Sequence, residues 1–265
     1  KMSKSLGNSP DPLELIGKFS ADGVRIGMLF CSPAGNDLPF DEKLCEQGRN
    51  FANKIWNALR LVKGWEVASG SNPDNQPVFN WFESKLNKTQ TELDTLFEQY
   101  RLSEALMLLY TFIWDDFCSV YLEMVKPDYG QPIDAKAYEK TIGYFERLMK
   151  LLHPFMPFIT EEIYQHLADR TEGDGICISP YPEIGEINAH DFSLGENLKL
   201  LLTQIRDIRA KKNLKPKDPV PMYANVSLPN FYKPIIPVLK KKAFLSTFEF
   251  TTAEVPNSAM FMIST

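Results

Sequence analysis

Only four cysteines and three histidines occur in 265 residues, and none of them is spaced for metal or disulfide chemistry. Cys31, Cys45, Cys118 and Cys177 lie far apart, with no Cys-x-x-Cys pair and no histidine at ligand spacing, so no metal site is expected. They read as buried free thiols of a reducing cytosol. No apolar run approaches the ~20 residues a membrane span needs, and no basic start with a small-residue cleavage site marks a secretory signal. The expectation is a soluble cytoplasmic monomer. An excess of positive charge is missing too: the formal net charge is -5. That excludes a generally basic protein that coats nucleic acid, and any RNA contact must use local patches. What remains is 44% apolar composition over 265 residues, enough to bury a sizeable core in one large domain or two.

The chain starts with Lys1-Met2-Ser3-Lys4-Ser5-Leu6-Gly7-Asn8. Two lysines three apart, interleaved with serines and closed by Gly-Asn, suit a cationic loop that grips phosphate; a solvated tail is the competing reading. Asp11 can cap and Pro12 can open the helix that follows. Leu13, Leu15, Ile16 and Phe19 give it an apolar face, and Ser20-Ala21-Asp22 can start a second helix through Val24 to Phe30. Residues 32–37 break it, and Leu38-Pro39-Phe40 fits a short edge strand.

Asp41 caps a long helix to about Trp65. Placing successive residues about 100° apart separates two faces. Phe51, Ile55, Ala58, Leu59 and Val62 form the apolar one. Arg49, Asn50, Asn53, Lys54, Trp56, Asn57 and Arg60 form the other. A merely solvated face is usually rich in Glu and Lys, whereas amides and guanidinium groups suit RNA edges, phosphates and 2′-hydroxyls. Trp56 itself is expected to pack against a neighbouring helix.

Residues 69–77 read as a loop, and helical patterning returns from about Phe79 to Gln99, from Leu102 to Val125 and from Ala135 to about Ala168. Pro154 and Pro157 predict a break inside the third. Long helices with short connections make an antiparallel bundle. Asp115, Asp116 and Glu123 could divide acid and base roles, but without a pocket they read as caps or ion pairs. His153 reads as a satisfied core residue, and His166, one turn from Glu162, as a surface pair.

Ile176 to Ser179 suggests a short strand. A further helix from about Ser193 to Lys212 ends in Arg206, Arg209, Lys211, Lys212, Lys215 and Lys217, offset locally only by Asp207. Cations at a helix C-terminus complement its dipole, and the same cluster suits phosphate. Strands over 219–228 and 244–252, a helix bearing Lys240-Lys241-Lys242 and a last strand over 259–263 complete a small α+β unit.

The string KMSKS followed by LGN is identical to the signature loop of class I aminoacyl-tRNA synthetases. In that family the loop closes over ATP during amino-acid activation, with Mg2+ accompanying the nucleotide. The resemblance gives Lys4 the role of supporting the pyrophosphate, with Lys1, Ser3 and Ser5 as loop partners. FDEKLCEQGRNFANKIWNALR at 40–60, FIWDDFCSVYLEMVKP at 112–127, HPFMPFITEEIYQHL at 153–167 and IRDIRAKKNLKPKDPVP at 205–221 resemble the valyl-tRNA synthetase family in particular. Isoleucyl and leucyl enzymes share the architecture and weaker versions of these strings. A helical interaction module with an idle KMSKS string is the non-enzymatic alternative.

The resemblance implies a mainly α fold: the end of a catalytic domain at 1–40, a helical anticodon-binding bundle at 41–185 and an α+β unit at 186–265. It implies a C-terminal fragment that binds valine tRNA, and the polar face of the long helix (Arg49, Asn50, Asn53, Lys54, Asn57, Arg60) and the basic cluster (Arg206, Arg209, Lys211, Lys212) are its candidate contacts. The parent would join valine to its tRNA using ATP. The family's HIGH motif and its editing domain, needed because valine and threonine are hard to tell apart, are not in this sequence. The fragment alone is therefore expected to be inactive and to hold ATP weakly.

Overall fold

The computed structural model describes residues 9–31, 40–215, 217–256 and 258–262. Helix α1 (Pro12–Phe30) starts with Pro12, and the Asp11 carboxylate accepts from Leu13 N at 2.8 Å. Ser20, at φ 68° and ψ 163°, divides it, and its Oγ accepts from Gly23 N to cap the second half. The two-helix reading of this stretch holds, the two helical halves meeting at the Ser20 kink. Helix α2 (Glu42–Lys63) is capped by Asp41 as expected. Its packing on α1 depends on small residues. A Cβ on Gly27 would sit 2.5 Å from Cys45 Sγ, and one on Gly48 would sit 2.7 Å from Gly23 O.

Next come a two-residue strand β1 (Val67–Ala68) and helix α3 (Gln76–Glu98), which begins earlier than its apolar pattern suggested. Helix α4 (Leu102–Val125) follows, and its middle, Phe112–Tyr121, is wound as a π-helix. There Ser119 Oγ donates to Trp114 O, five residues back, at 2.8 Å. By length and composition α4 could cross a membrane, contrary to the expectation of no such run. Here it is the spine of the bundle. Phe112, Phe117 and Tyr121 are buried and ring Phe82 of α3 at centroid distances of 5.4, 5.8 and 4.4 Å.

Strand β2 (Ile133–Asp134) pairs parallel with β1, a staple that no local signal announced. Helices α5 (Ala135–Leu152) and α6 (Pro157–Leu167) meet at the break that Pro154 and Pro157 predicted. Two α1 side chains hold that break. The buried Asp22 carboxylate accepts from Ile159 N at 2.7 Å and Phe158 N at 3.3 Å, capping α6, while Arg25 donates to the carbonyls of Pro154 and Phe155. Desolvation pushes the Asp22 carboxyl above its ordinary range, against those backbone bonds. His153 Nδ1 lies 2.7 Å from Thr160 Oγ1, whose own proton goes to Met156 O, so the imidazole donates. It is the satisfied histidine that was expected.

The chain then crosses the bundle as an extended strap into helix α7 (Ala189–Lys211). Ile176–Ile178 is a 3₁₀ turn and not the expected strand. A short stripe on α3 holds the strap. Gln90 Nε2 donates to Pro182 O at 2.5 Å, Asn87 Nδ2 donates to Glu186 O at 2.8 Å, and Ser84 Oγ accepts from Asn188 N at 3.2 Å. All three side chains are buried, so they satisfy backbone that would otherwise be orphaned.

The chain ends in strand β3 (Val220–Ala224), helices α8 (Pro229–Tyr232) and α9 (Ile236–Lys242), and strand β4 (Leu245–Phe250), parallel to β3. Residues 258–262 form no strand, contrary to the expectation for 259–263; Ile263 lies outside the described residues, as do Leu38 and Pro39 of the expected edge strand. One hydrophobic core runs from Ile26 to Leu245. Cys31, Cys45 and Cys118 are buried free thiols as expected, but Cys177 is exposed.

Helix α7 docks on α3 where Gly195 meets Trp81, and a Cβ on Gly195 would fall inside the Trp81 side chain. Gly195→Ala is expected to cost about 3 kcal/mol by overpacking. That lowers the midpoint of thermal unfolding by roughly 6–12 °C for a chain of this size. Gly143→Ala, where nothing lies within 4 Å of the new Cβ, should raise stability by up to about 1 kcal/mol.

Candidate nucleic-acid interface

Lys1, Ser3, Lys4 and Ser5 lie outside the described residues. The other candidate positions fall on α2 and at the end of α7. Along α2 the apolar face is buried as read: Phe51, Ile55, Ala58, Leu59 and Val62 join the core. The opposite face divides into side chains with internal partners and side chains without.

Arg49 is among the first. Its guanidinium pairs with Glu46 at 3.1 Å, donates to Lys18 O at 3.3 Å and lies 5.6 Å from the Phe19 ring centroid, so it works at the α1–α2 seam. Lys54 sits 5.2 Å over the Trp114 ring. Trp56 is half-buried, packed on the core and edge-on to His166 of α6, as expected for that residue. By contrast Asn50, Asn53, Asn57 and Arg60 are exposed, and their side chains bond to no other described residue.

The acidic residues of α4 behave as ion-pair partners. Asp116 is buried and accepts from Lys199 at 2.6 Å and Lys85 at 3.0 Å, while Glu196 takes Lys85 at 2.6 Å and Trp81 Nε1 at 2.8 Å. Burial works against the charged Lys199, but the Asp116 hydrogen bond and charge hold its ammonium above the ordinary range. Glu123 pairs with Lys126. No three His, Cys, Asp or Glu side chains among the described residues form a metal-binding group.

At the end of α7, Arg206, Lys211, Lys212, Lys215 and Lys217 are exposed, and none makes an ion pair with a described residue. Arg209 differs from its expected place among them. It is 5% exposed and points inward. Nη1 donates to Lys215 O at 3.2 Å and Asp218 O at 2.8 Å, and Nη2 donates to Ala243 O at 2.7 Å and Phe244 O at 3.2 Å. Sequence reasoning missed this because all four acceptors are backbone carbonyls, two of them 34 and 35 residues away, and carry no residue signature. The lysine run of α9 is nearby in the fold. Lys241 pairs with Asp128 at 3.3 Å, and Lys242 donates to Lys126 O at 3.0 Å. Burial, with Lys241 adding repulsion, pushes the Lys242 amine down to about 8. Lys240 is exposed and forms no ion pair with a described residue.

A mainly helical bundle carries exposed amides and an arginine along one helix and unpaired cations at the end of another, groups of the kinds that bond to nucleic acid. The model of the family described as the anticodon-binding domain of tRNA ligase matches residues 80–224. The chain belongs to that family.

Within it, the resemblance is to valine–tRNA ligases. The enzyme of Phocaeicola vulgatus is 52% identical over 269 residues, covering 100% of this chain and 30% of that protein. Those of Bacteroides fragilis and Parabacteroides distasonis are 49% and 54% identical over 100% and 82% of this chain. The chain thus spans about 30% of the length of the first two of these relatives and 25% of the third. Among solved structures, the Agrobacterium radiobacter K84 agnB2 LeuRS–tRNA–LeuAMS ternary complex matches 72% of this chain and 23% of its own, with a TM-score of 0.52 and 19% identity. That likeness is one of fold.

The division of α2 cations makes a prediction. Arg60→Ala should weaken tRNA binding severalfold and leave thermal stability within about 0.5 kcal/mol, since it has no internal partner. Arg49→Ala should cost up to about 1 kcal/mol of stability and move binding less, because its partners are internal and partly exposed. The pair is checked by thermal unfolding and filter binding on the same preparations.

Proposed function

We propose that this chain is the tRNA-binding part of a valine–tRNA ligase, with valine tRNA as its partner. One observation carries the reading. On a chain of net charge -5, the exposed cations of the α7 end, all but Arg209, pair with no described residue, in a chain of the anticodon-binding family. Unpaired cations on an acidic chain are arranged against its own average charge, which a polyanion rewards and simple solvation does not require. The exposed amides of α2 add donors and acceptors suited to unstacked bases and 2′-hydroxyls.

The whole protein would activate valine with ATP and Mg2+ and pass it to the tRNA. Lys4 would support the pyrophosphate as it leaves, with Lys1, Ser3 and Ser5 holding the same phosphates; these assignments rest on the KMSKS string alone. Such a protein works in the cytoplasm, and one copy of the bundle suffices for one tRNA.

The test is binding of the 265-residue chain to valine, isoleucine and leucine tRNAs, each also with exchanged anticodon bases. Valine tRNA should bind tightest, and moving its anticodon into another tRNA should carry the preference with it. Equal binding of all three and of bulk RNA at physiological salt would favour a plain interaction module. The chain alone should form no valyl-adenylate from valine and ATP; formation of the adenylate would overturn the expectation that it binds without activating.

A further inference from the structure

We infer that Arg209 is the positioning residue of a composite phosphate-binding face, holding the basic end of α7, the loop behind it and the lysine-bearing helix α9 together as one surface for RNA backbone. The inference rests on the tRNA-binding reading above and goes past it by naming what builds the surface.

The geometry starts with a buried charge. Arg209 is 5% exposed, and no carboxylate of the described residues pairs with it. A guanidinium in that position must be satisfied by dipoles, and four carbonyl oxygens do so at 2.7–3.2 Å. They come from two separate stretches: Lys215 and Asp218 in the loop after α7, and Ala243 and Phe244 at the end of α9. The second pair closes a helix C-terminus, whose dipole presents negative charge to the cation. Arg209 Nε is buried with no acceptor, so the side chain has given up part of its own hydrogen bonding to reach both pairs.

The shape of the group matters as much as its charge. A planar fork with two terminal nitrogens reaches two carbonyl pairs at once, one pair per nitrogen. A lysine ammonium is a single point and cannot. If the fork is lost, the loop and α9 are free to separate, and with them the cations they carry.

Lys211, Lys212, Lys215, Lys217 and Lys240 are exposed and form no ion pair with any described residue, whereas Lys241 is paired and Lys242 faces inward. Five unpaired ammonium groups on three segments, all tied to one guanidinium, match a run of closely spaced phosphates better than a single acidic side chain.

The experiment is the salt dependence of tRNA binding, read as the slope of log affinity against log salt. Each phosphate contact contributes roughly 0.7–0.9 to that slope. Lys212→Ala and Lys240→Ala should each reduce its magnitude by about one, and the double variant by about two. Arg209→Lys keeps the charge and removes the fork. It should lower affinity by at least about tenfold and reduce the slope by about three, as several contacts are lost together.

A merely structural Arg209 would lower thermal stability and leave the slope of the folded protein unchanged, and that result overturns the proposal. So does a slope change of about one, the signature of a single direct phosphate contact. If Arg209→Lys does not fold by circular dichroism, the lysine variants decide: no change in slope for Lys240→Ala means that α9 is not part of the face. Should the unaltered chain bind tRNA with no salt dependence, the tRNA reading itself fails. Binding by the unaltered chain with unmoved variants defeats only the composite face.

Discussion

The contact between Gly195 and Trp81 fixes where everything after the bundle can go. Helix α7 approaches α3 so closely that a methyl group has no room between them. Around that point the two helices are pinned by ions and amides. Lys85 and Trp81 of α3 meet Glu196 of α7, and Lys199 of α7 meets Asp116 of α4. The α3 stripe of Ser84, Asn87 and Gln90 holds the strap that leads in. Such a half-buried network gains little net stability against an apolar equivalent, but removing Lys85 or Asp116, its most buried members, strands the partner charges. Its consequence is rigidity of placement, and the far end of α7 inherits it.

That end is where the chain's charges are sorted. Most cations along the bundle have internal duties: Arg25 at the proline break, Arg49 at the α1–α2 seam, Lys54 over Trp114, Arg147 on Gln90. Of these only the Arg49–Glu46 pair is a surface ion pair, which contributes at most about 1 kcal/mol. These duties matter more by removing cations from the available surface. Among the described residues, Arg60 on α2 and the cluster from Arg206 onward are left without ion pairs, as are the scattered Lys43, Lys63 and Lys233. An overall negative chain with two local positive districts discourages unspecific coating of nucleic acid and favours a defined docking geometry.

Much of this was legible in the sequence. The helices of the bundle followed from apolar spacing, Asp41 and Asp11 announced their caps, and the α5–α6 break was written in Pro154 and Pro157. The two faces of α2 were separable by angle alone. What could not be read has a common cause: its partner is backbone or lies far along the chain. Asp22 caps a helix 136 and 137 residues later, Arg209 gathers carbonyls, and β1 pairs with β2 over two residues. The π-helical middle of α4 is a register change that Phe112 to Tyr121 do not advertise. For the interface, residue type identified the cationic cluster, but only the fold separates Arg209, which organises it, from Lys211 and Lys212, which face solvent.

The central claim is that a rigidly docked α7 presents its basic end, together with the open face of α2, to RNA. Amide hydrogen exchange of the 265-residue chain with and without valine tRNA tests it most directly. The account predicts new protection in 206–218, in 240–245 and along 50–60, with the α3–α7 contact around Gly195 already slow in both states. Protection confined to other surfaces, or an α7 that becomes ordered only when tRNA is present, would contradict it.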